Sequence, residues 1–309
     1  MKKFEYSAPT LAYQNLSESL GFRLRLANNQ EWTLFGTEEV NPWLQKLASL
    51  LQLKTCKLNG SPLIICKRKS SDDLVEGIDF TIVPTDQWKE TDFRVGKIWT
   101  HAQSPHVIFE LNDDEGLETD IIRIWHLLSL IYQKVQASGG MPFHAGLVQK
   151  NGKGYLLAAP GNTGKSTCCS RIVPPWQAIS DDEVVIVKGD AGKYLVHPVT
   201  TWSNYLWKNG KEQPQEIEKF WPLHGIFFLE QSETDEVVEI GKGTAALSAY
   251  ESASQVGRRN RGLLNLEQER KTKHKVFDNA IEMMKKIPAY KLKVNLTGKF
   301  WEKMDEVVI

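Results

Sequence analysis

The sequence has no long hydrophobic run, little cysteine and no excess of either charge, and each shortage removes a class of function. No stretch reaches the ~18 consecutive apolar residues of a membrane-spanning helix. Met1-Lys2-Lys3-Phe4-Glu5 is not the apolar opening of a secretion signal. A cytoplasmic protein with no membrane partner is therefore expected. Only four cysteines occur in 309 residues, Cys56, Cys66, Cys168 and Cys169, and their spacing fits no metal site. They read as reduced core thiols, although Cys168 and Cys169 fall on a predicted helix whose N-terminus can lower a thiol pKa. The 38 Lys and Arg residues balance 38 Asp and Glu, which argues against a broad grip on nucleic-acid backbone. The basic runs Lys67-Arg68-Lys69 and Lys271 to Lys275 are short enough to be solvated faces.

What the chain does have is the run Ala159-Pro160-Gly161-Asn162-Thr163-Gly164-Lys165-Ser166-Thr167. It fits the phosphate-binding loop pattern, with Ala in a first slot where Gly is commoner. The apolar stretch Gly154 to Ala158 before it reads as a buried strand. Thr167 to Ile172 after it can wind as a helix, which Pro174-Pro175 stops. In such a strand, loop and helix the glycines let backbone N–H groups curl around a phosphate. Lys165 would reach the β- and γ-phosphates and Ser166 would coordinate Mg²⁺. The expected ligand is a nucleoside triphosphate.

Beyond the helix, Asp181-Asp182 follows the strand-like piece Gln177 to Ser180. Two adjacent carboxylates at a strand end can divide two jobs, because neighbouring strand side chains point to opposite sides. Asp181 is assigned to the metal and Asp182 to the attacking hydroxyl as base. Upstream, Phe143 to Val148 reads as one hairpin arm and Lys150-Asn151-Gly152-Lys153 as its turn, so pairing brings His144 near the loop.

In that order, a His-Ala-Gly strand, a hairpin, a phosphate loop, a short helix and an Asp-Asp pair resemble the bacterial HPr kinase/phosphorylase family. The strings Met141 to Gly146, Gly161 to Cys169, His197 to Ser203 and Ile226 to Gln231 are similar to the HPr-kinase-related proteins of the SynChlorMet cassette. So is the closing segment from Pro288 to Glu302, and lasso-peptide precursor kinases look similar too. The resemblance implies an α/β fold with a P-loop, phosphoenolpyruvate-carboxykinase-like kinase core. It implies ATP and Mg²⁺ as cofactors, Asp181-Asp182 as the acidic pair containing the base, and His144 as the active-site histidine. Two departures stand out. Thr167 occupies the position after the loop serine where the family has Glu, and no second signature of the phosphorylase reaction follows. The first leaves one metal contact missing or replaced, and the second argues against reversal of the transfer, so HPr itself need not be the substrate.

Three segments are expected: a mainly β N-terminal domain over 1–117, a connecting helix over 118–140, and the catalytic domain over 141–309. The first shows strand-like runs at Gly21 to Leu26, Trp32 to Phe35, Leu63 to Cys66 and His106 to Glu110, and a helix opening at Pro42. It carries no catalytic motif, so substrate recognition falls to it by exclusion. From Thr119 a helix carries the apolar stripe Ile121, Ile124, Trp125, Leu128, Ile131 and Val135 and ends at Gly139. Further on, Val184 to Val187 pairs with Tyr194 to His197, and Gly225 to Leu229 reads as a central strand. Phe277, Ala280, Ile281, Met284 and Ile287 form a helix stripe. Arg258, Arg259 and Arg261 sit in a loop that can meet a phosphoryl charge or simply be solvated. Trp202, Trp207, Trp221 and His197 read as core ahead of a base or peptide pocket.

The expected activity is transfer of the γ-phosphoryl group of ATP to a Ser or Thr hydroxyl of a peptide or small protein, in particular a ribosomal precursor peptide. A non-catalytic nucleotide-binding regulator and a small-molecule kinase are the alternatives, and a homo-oligomer stays open as a further partner.

Overall fold

The strands of the chain are gathered into two sheets of mixed orientation. The computed structural model describes residues 20–57, 60–68, 88–101, 104–200, 214–257 and 266–308. Trp202, Trp207, Arg258, Arg259 and Arg261 lie outside the described residues. Two compact units result, taking the described residues of each: Met1–Arg25 with Asn29–Leu127, and Leu26–Asn28 with Leu128–Ile309. Among the described residues no helix is long and apolar enough to cross a membrane.

In the first unit β1 (Leu20–Arg25), β2 (Glu31–Gly36), β3 (Lys54–Lys57), β4 (Leu63–Arg68), β5 (Trp88–Phe93), β6 (Gly96–His101) and β7 (Val107–Leu111) form a seven-stranded sheet. Their order is β3-β1-β2-β4-β7-β6-β5, parallel at β2–β4 and β4–β7 and antiparallel elsewhere. A parallel pair needs a crossover, and the one from β2 to β4 contains α1 (Asn41–Leu51). Pro42 sits in its first turn, where the missing N–H costs nothing. Its Trp43, Leu44, Leu47 and Leu51 are buried, and Trp43 meets Phe109 edge-on at 6.1 Å. Strands β3 and β5 escaped the sequence reading because their side chains are largely polar and exposed, and β6 because apolar Ile98 and Trp99 are set among Gly, Lys, Thr and His.

α2 (Leu117–Ala137) follows, and the division between units falls within it. Gly139, at φ +94°, takes the left-handed conformation that ends helices.

The second unit is built on a nine-stranded sheet. Its elements are β8 (Met141–Phe143), β9 (Ala145–Lys150), β10 (Lys153–Ala158), α3 (Lys165–Arg171), β11 (Gln177–Ser180), β12 (Val184–Lys188), β13 (Tyr194–Pro198), β14 (Trp221–Gln231), β15 (Glu236–Glu239), α4 (Lys242–Gly257), α5 (Leu266–Met284), β16 (Ala289–Val294) and α6 (Phe300–Asp305). The order is β11-β9-β10-β14-β13-β12-β8. Long β14 lends its edge first to β13 and then to β16, where the sheet branches. β14 pairs in parallel with both β10 and β16. Asn151 and Gly152, at φ +53° and +75°, make the tight β9–β10 turn, as Asn-Gly favours.

Strand alternation sorts the core into two layers. Leu156 and Ala158 of β10 pack on one face with Ala249 and Ala253 of α4 and Ala280 and Met283 of α5. Tyr155, Leu157 and Ala159 pack on the other with Cys168 and Cys169 of α3 and Phe300 and Met304 of α6. Two points differ from the sequence reading. Phe143 to Val148 is not one arm: β8 pairs with β12 and β9 with β10, so the chain changes partner at His144. In α5, Val276, Ala280, Met283 and Met284 are buried, whereas Phe277 is exposed and meets Tyr250 with its ring.

Candidate active site

The loop after β10 owes its shape to two positive φ angles, +62° at Asn162 and +106° at Gly164. Asn tolerates the left-handed region, and Gly enters it at no steric cost. A side chain on Gly164 would meet nothing within 4 Å, so the constraint there is the backbone and not space. α3 begins directly at Lys165, whose side chain is folded under the loop and only 6% exposed. Its Nζ donates to Ala159 O at 2.9 Å and Pro160 O at 3.1 Å. Burial lowers its pKa, while Asp182, Cys169 and Asp181 are close enough to oppose that shift. Gly161, Asn162, Ser166 and Thr167 are exposed, with Thr163 and Gly164 half-buried. Gln231 Nε2 donates to Thr163 O at 3.4 Å.

Register brings the histidine to the loop. Ala158 at the end of β10 pairs with Ala145 at the start of β9, so His144 stands beside the loop's first residue. Its Nδ1 lies 3.3 Å from Asp182 Oδ1, both side chains being largely buried. Its backbone N–H donates to Ser252 O of α4 at 3.3 Å. Asp181 and Asp182 occupy a bend between β11 and β12, not a strand, so strand alternation does not separate their roles. Burial does: Asp182 is buried against His144 and Asp181 is half-buried.

Gly146 locks these parts together. A Cβ there would come within 2.4 Å of Cys169 Sγ, 3.3 Å of Ser180 O and 3.5 Å of Asp181 Cα. Cys169 Sγ in turn contacts Ser180 O at 3.7 Å, tying α3 to the end of β11. Burial pushes the Cys168 thiol up to about 11 and raises that of Cys169 as well. Desolvation therefore outweighs any acidifying effect of the helix start, and neither cysteine is an activated thiol.

Two features were missed from sequence. Glu183, 2% exposed, accepts a hydrogen bond from the Tyr132 hydroxyl. The acid reads as the start of the next strand, and the tyrosine is hidden among the apolar residues of α2. The second feature is a cavity of about 650 Å³ walled by α2, α4 and α5 and reaching Pro160 and Gly161. Ser129, Tyr132, Gln133 and Gln136 give it one face of α2, at helical i, i+3, i+4, i+7 spacing. That spacing was the available signal. His197 and Trp221 belong to the core instead: His197 Nδ1 donates to Ile217 O at 2.8 Å and Nε2 accepts from Ala27 N at 3.1 Å. Burial pushes the His197 pKa down to about 4, so the ring is neutral.

A family model described as SynChlorMet cassette protein ScmC matches residues 107–309. The chain belongs to that family. The match spans His144, the loop, the acidic pair and every wall of the cavity. No curated protein matches the chain.

Proposed function

We propose that this member of the ScmC family is an ATP- and Mg²⁺-dependent kinase with an HPr-kinase-like, P-loop core of the phosphoenolpyruvate-carboxykinase type. The acceptor is a Ser or Thr hydroxyl of a peptide or small protein. The observation that carries this reading is the His144–Asp182 pair, 3.3 Å apart, beside the loop that buries Lys165. A nucleotide switch has no use for a carboxylate poised by a histidine next to its phosphates. A kinase needs one to take the hydroxyl proton.

The residues present fit the implied cofactors. The positive φ at Gly164 and the exposed backbone of Gly161 and Asn162 suit a phosphate cradle, with Lys165 as its cation and Thr163 and Thr167 flanking. No group of three or more His, Cys, Asp or Glu side chains converges among the described residues. A magnesium ion would therefore rest on Ser166, Asp181 and phosphate oxygens, a small protein share that suits this ion. Bound Mg-ATP would supply the transferable phosphoryl group and the positive charge that neutralises it. Asp182 then accepts the hydroxyl proton, and His144 holds that carboxylate in place.

A non-catalytic regulator is the second reading, favoured by Thr167 where the resembled kinases carry Glu. Asp182→Asn separates the two. The kinase reading expects Mg-ATP still to raise the melting temperature while transfer falls ~10²-fold or more. Wild-type transfer in that variant would remove the base assignment, and a wild-type protein that binds ATP without transferring its γ-phosphoryl group to any acceptor would favour the regulator.

A further inference from the structure

We infer that the cavity walled by α2, α4 and α5 is the acceptor site, holding a short peptide segment with its hydroxyl turned toward Asp182. This rests on the kinase reading and adds to it where the substrate binds. Three observations lead there. First, the cavity reaches the phosphate loop at Pro160 and Gly161, its opening residues, and not at the helical turn of Ser166 and Thr167.

Second, its walls are tied to the acidic pair from both sides. Tyr132, in the α2 wall, donates to Glu183, the neighbour of Asp182. Ser252, between the lining residues Glu251 and Ala253 of α4, accepts from His144 N at 3.3 Å, and His144 touches Asp182. These contacts join the cavity's walls to the base, although neither His144 nor Asp182 lines the cavity itself. The acceptor must occupy that side of the transferred phosphoryl, because attack and departure are roughly in line.

Third, the lining suits peptide amides. Gln136 is only 8% exposed, yet its hydrogen bonds run through its backbone carbonyl, to Asn279 and Gly139. Its side-chain amide lines the cavity without a partner among the described residues. That amide is open to the cavity, and a peptide group offers it both a donor and an acceptor. Gln133 and Gln255 repeat that chemistry. Charge points the same way. Lys273 pairs with Glu269 at 3.6 Å, whereas Glu251 is exposed with no ion pair among the described residues. Glu251 on this wall favours a peptide with Lys or Arg beside its hydroxyl.

The test uses the full chain, Mg-ATP and a library of synthetic peptides, each with one central serine and varied flanks. The wild type should select basic flanks. Gln136→Leu should raise KM for the best peptide about tenfold, the scale of one or two lost hydrogen bonds, and leave KM for ATP unchanged. Glu251→Lys, at an exposed position that folding does not depend on, should turn the preference toward acidic flanks. Photolabelling with 8-azido-ATP should leave α2, α4 and α5 unmodified. An unchanged peptide KM in Gln136→Leu with unchanged flank preference in Glu251→Lys, or azido label on α2, α4 or α5, would overturn the acceptor assignment alone. A wild type that binds ATP and phosphorylates no peptide would overturn it together with the kinase reading.

Discussion

Lys165 is a buried cation whose local partners, the carbonyls of Ala159 and Pro160, are neutral. Neutral acceptors leave much of the desolvation cost uncompensated, and a phosphate would compensate it better than two carbonyls. Lys165→Ala should therefore abolish both turnover and the rise in melting temperature on adding Mg-ATP, read in one thermal scan with and without nucleotide. A full shift in that variant would mean that the loop does not bind phosphate. At this scale the loop was legible from sequence, because glycines, lysine and hydroxyls at fixed spacing carry their own geometry. The Tyr132–Glu183 contact was not, since its partners lie 51 residues apart and only the fold joins them. The spacing of Gln136 with Ser129, Tyr132 and Gln133 marks one helix face, but only the fold shows that this face meets a cavity.

At the level of elements, the contact between β9 and α3 sets the distance from the loop helix to the acidic bend. Gly146 is the point of closest approach, with 2.4 Å from its virtual Cβ to Cys169 Sγ. Gly146→Ala should cost about 1–3 kcal/mol by overpacking, measured by denaturant unfolding. Adding Cys169→Ala should recover part of the loss, since the two side chains would share one space. Additive effects would show that the clash lies with the Ser180 or Asp181 backbone instead. The β9–β10 hairpin could be read from Asn151-Gly152, whose turn type is a local property. The change of partner at His144 could not. An apolar run reports burial but not which strand pairs with it, and the switch from β12 to β10 is a matter of register. The α5 stripe holds at Ala280, Ile281, Met284 and Ile287 and misses only at Phe277, because helical periodicity locates a face only to within a residue or so.

Across the whole molecule, buried neutral histidines couple folding to pH. Burial pushes His126 and His197 down from 6.5 to about 4 each. Below 6.5 the unfolded chain binds protons that the folded chain refuses, so stability is full above that pH and falls as pH drops toward 4. The loss is at most about 3 kcal/mol per histidine and saturates below the folded pKa. Urea midpoints should thus decline between pH 6.5 and 4, and His197→Gln should show a shallower decline. An equal slope in the variant would mean that His197 is not the group being protonated. The two-sheet, mixed α/β character was foreseeable from strand-like runs interrupted by helical stripes. From sequence, substrate recognition falls to the N-terminal segment only because that segment lacks catalytic motifs. The cavity beside the loop supplies a positive reason to look in the second unit instead.

The most direct measurement is phosphoryl transfer itself. The full chain is incubated with γ-labelled ATP, Mg²⁺ and serine- or threonine-containing peptides, and the products are sequenced by mass spectrometry. A kinase built on Lys165 and Asp182 predicts label on a peptide hydroxyl with the wild type, lost with Lys165→Ala and reduced ~10²-fold or more with Asp182→Asn. Bound ATP with no labelled peptide, or equal labelling by all three proteins, would contradict it.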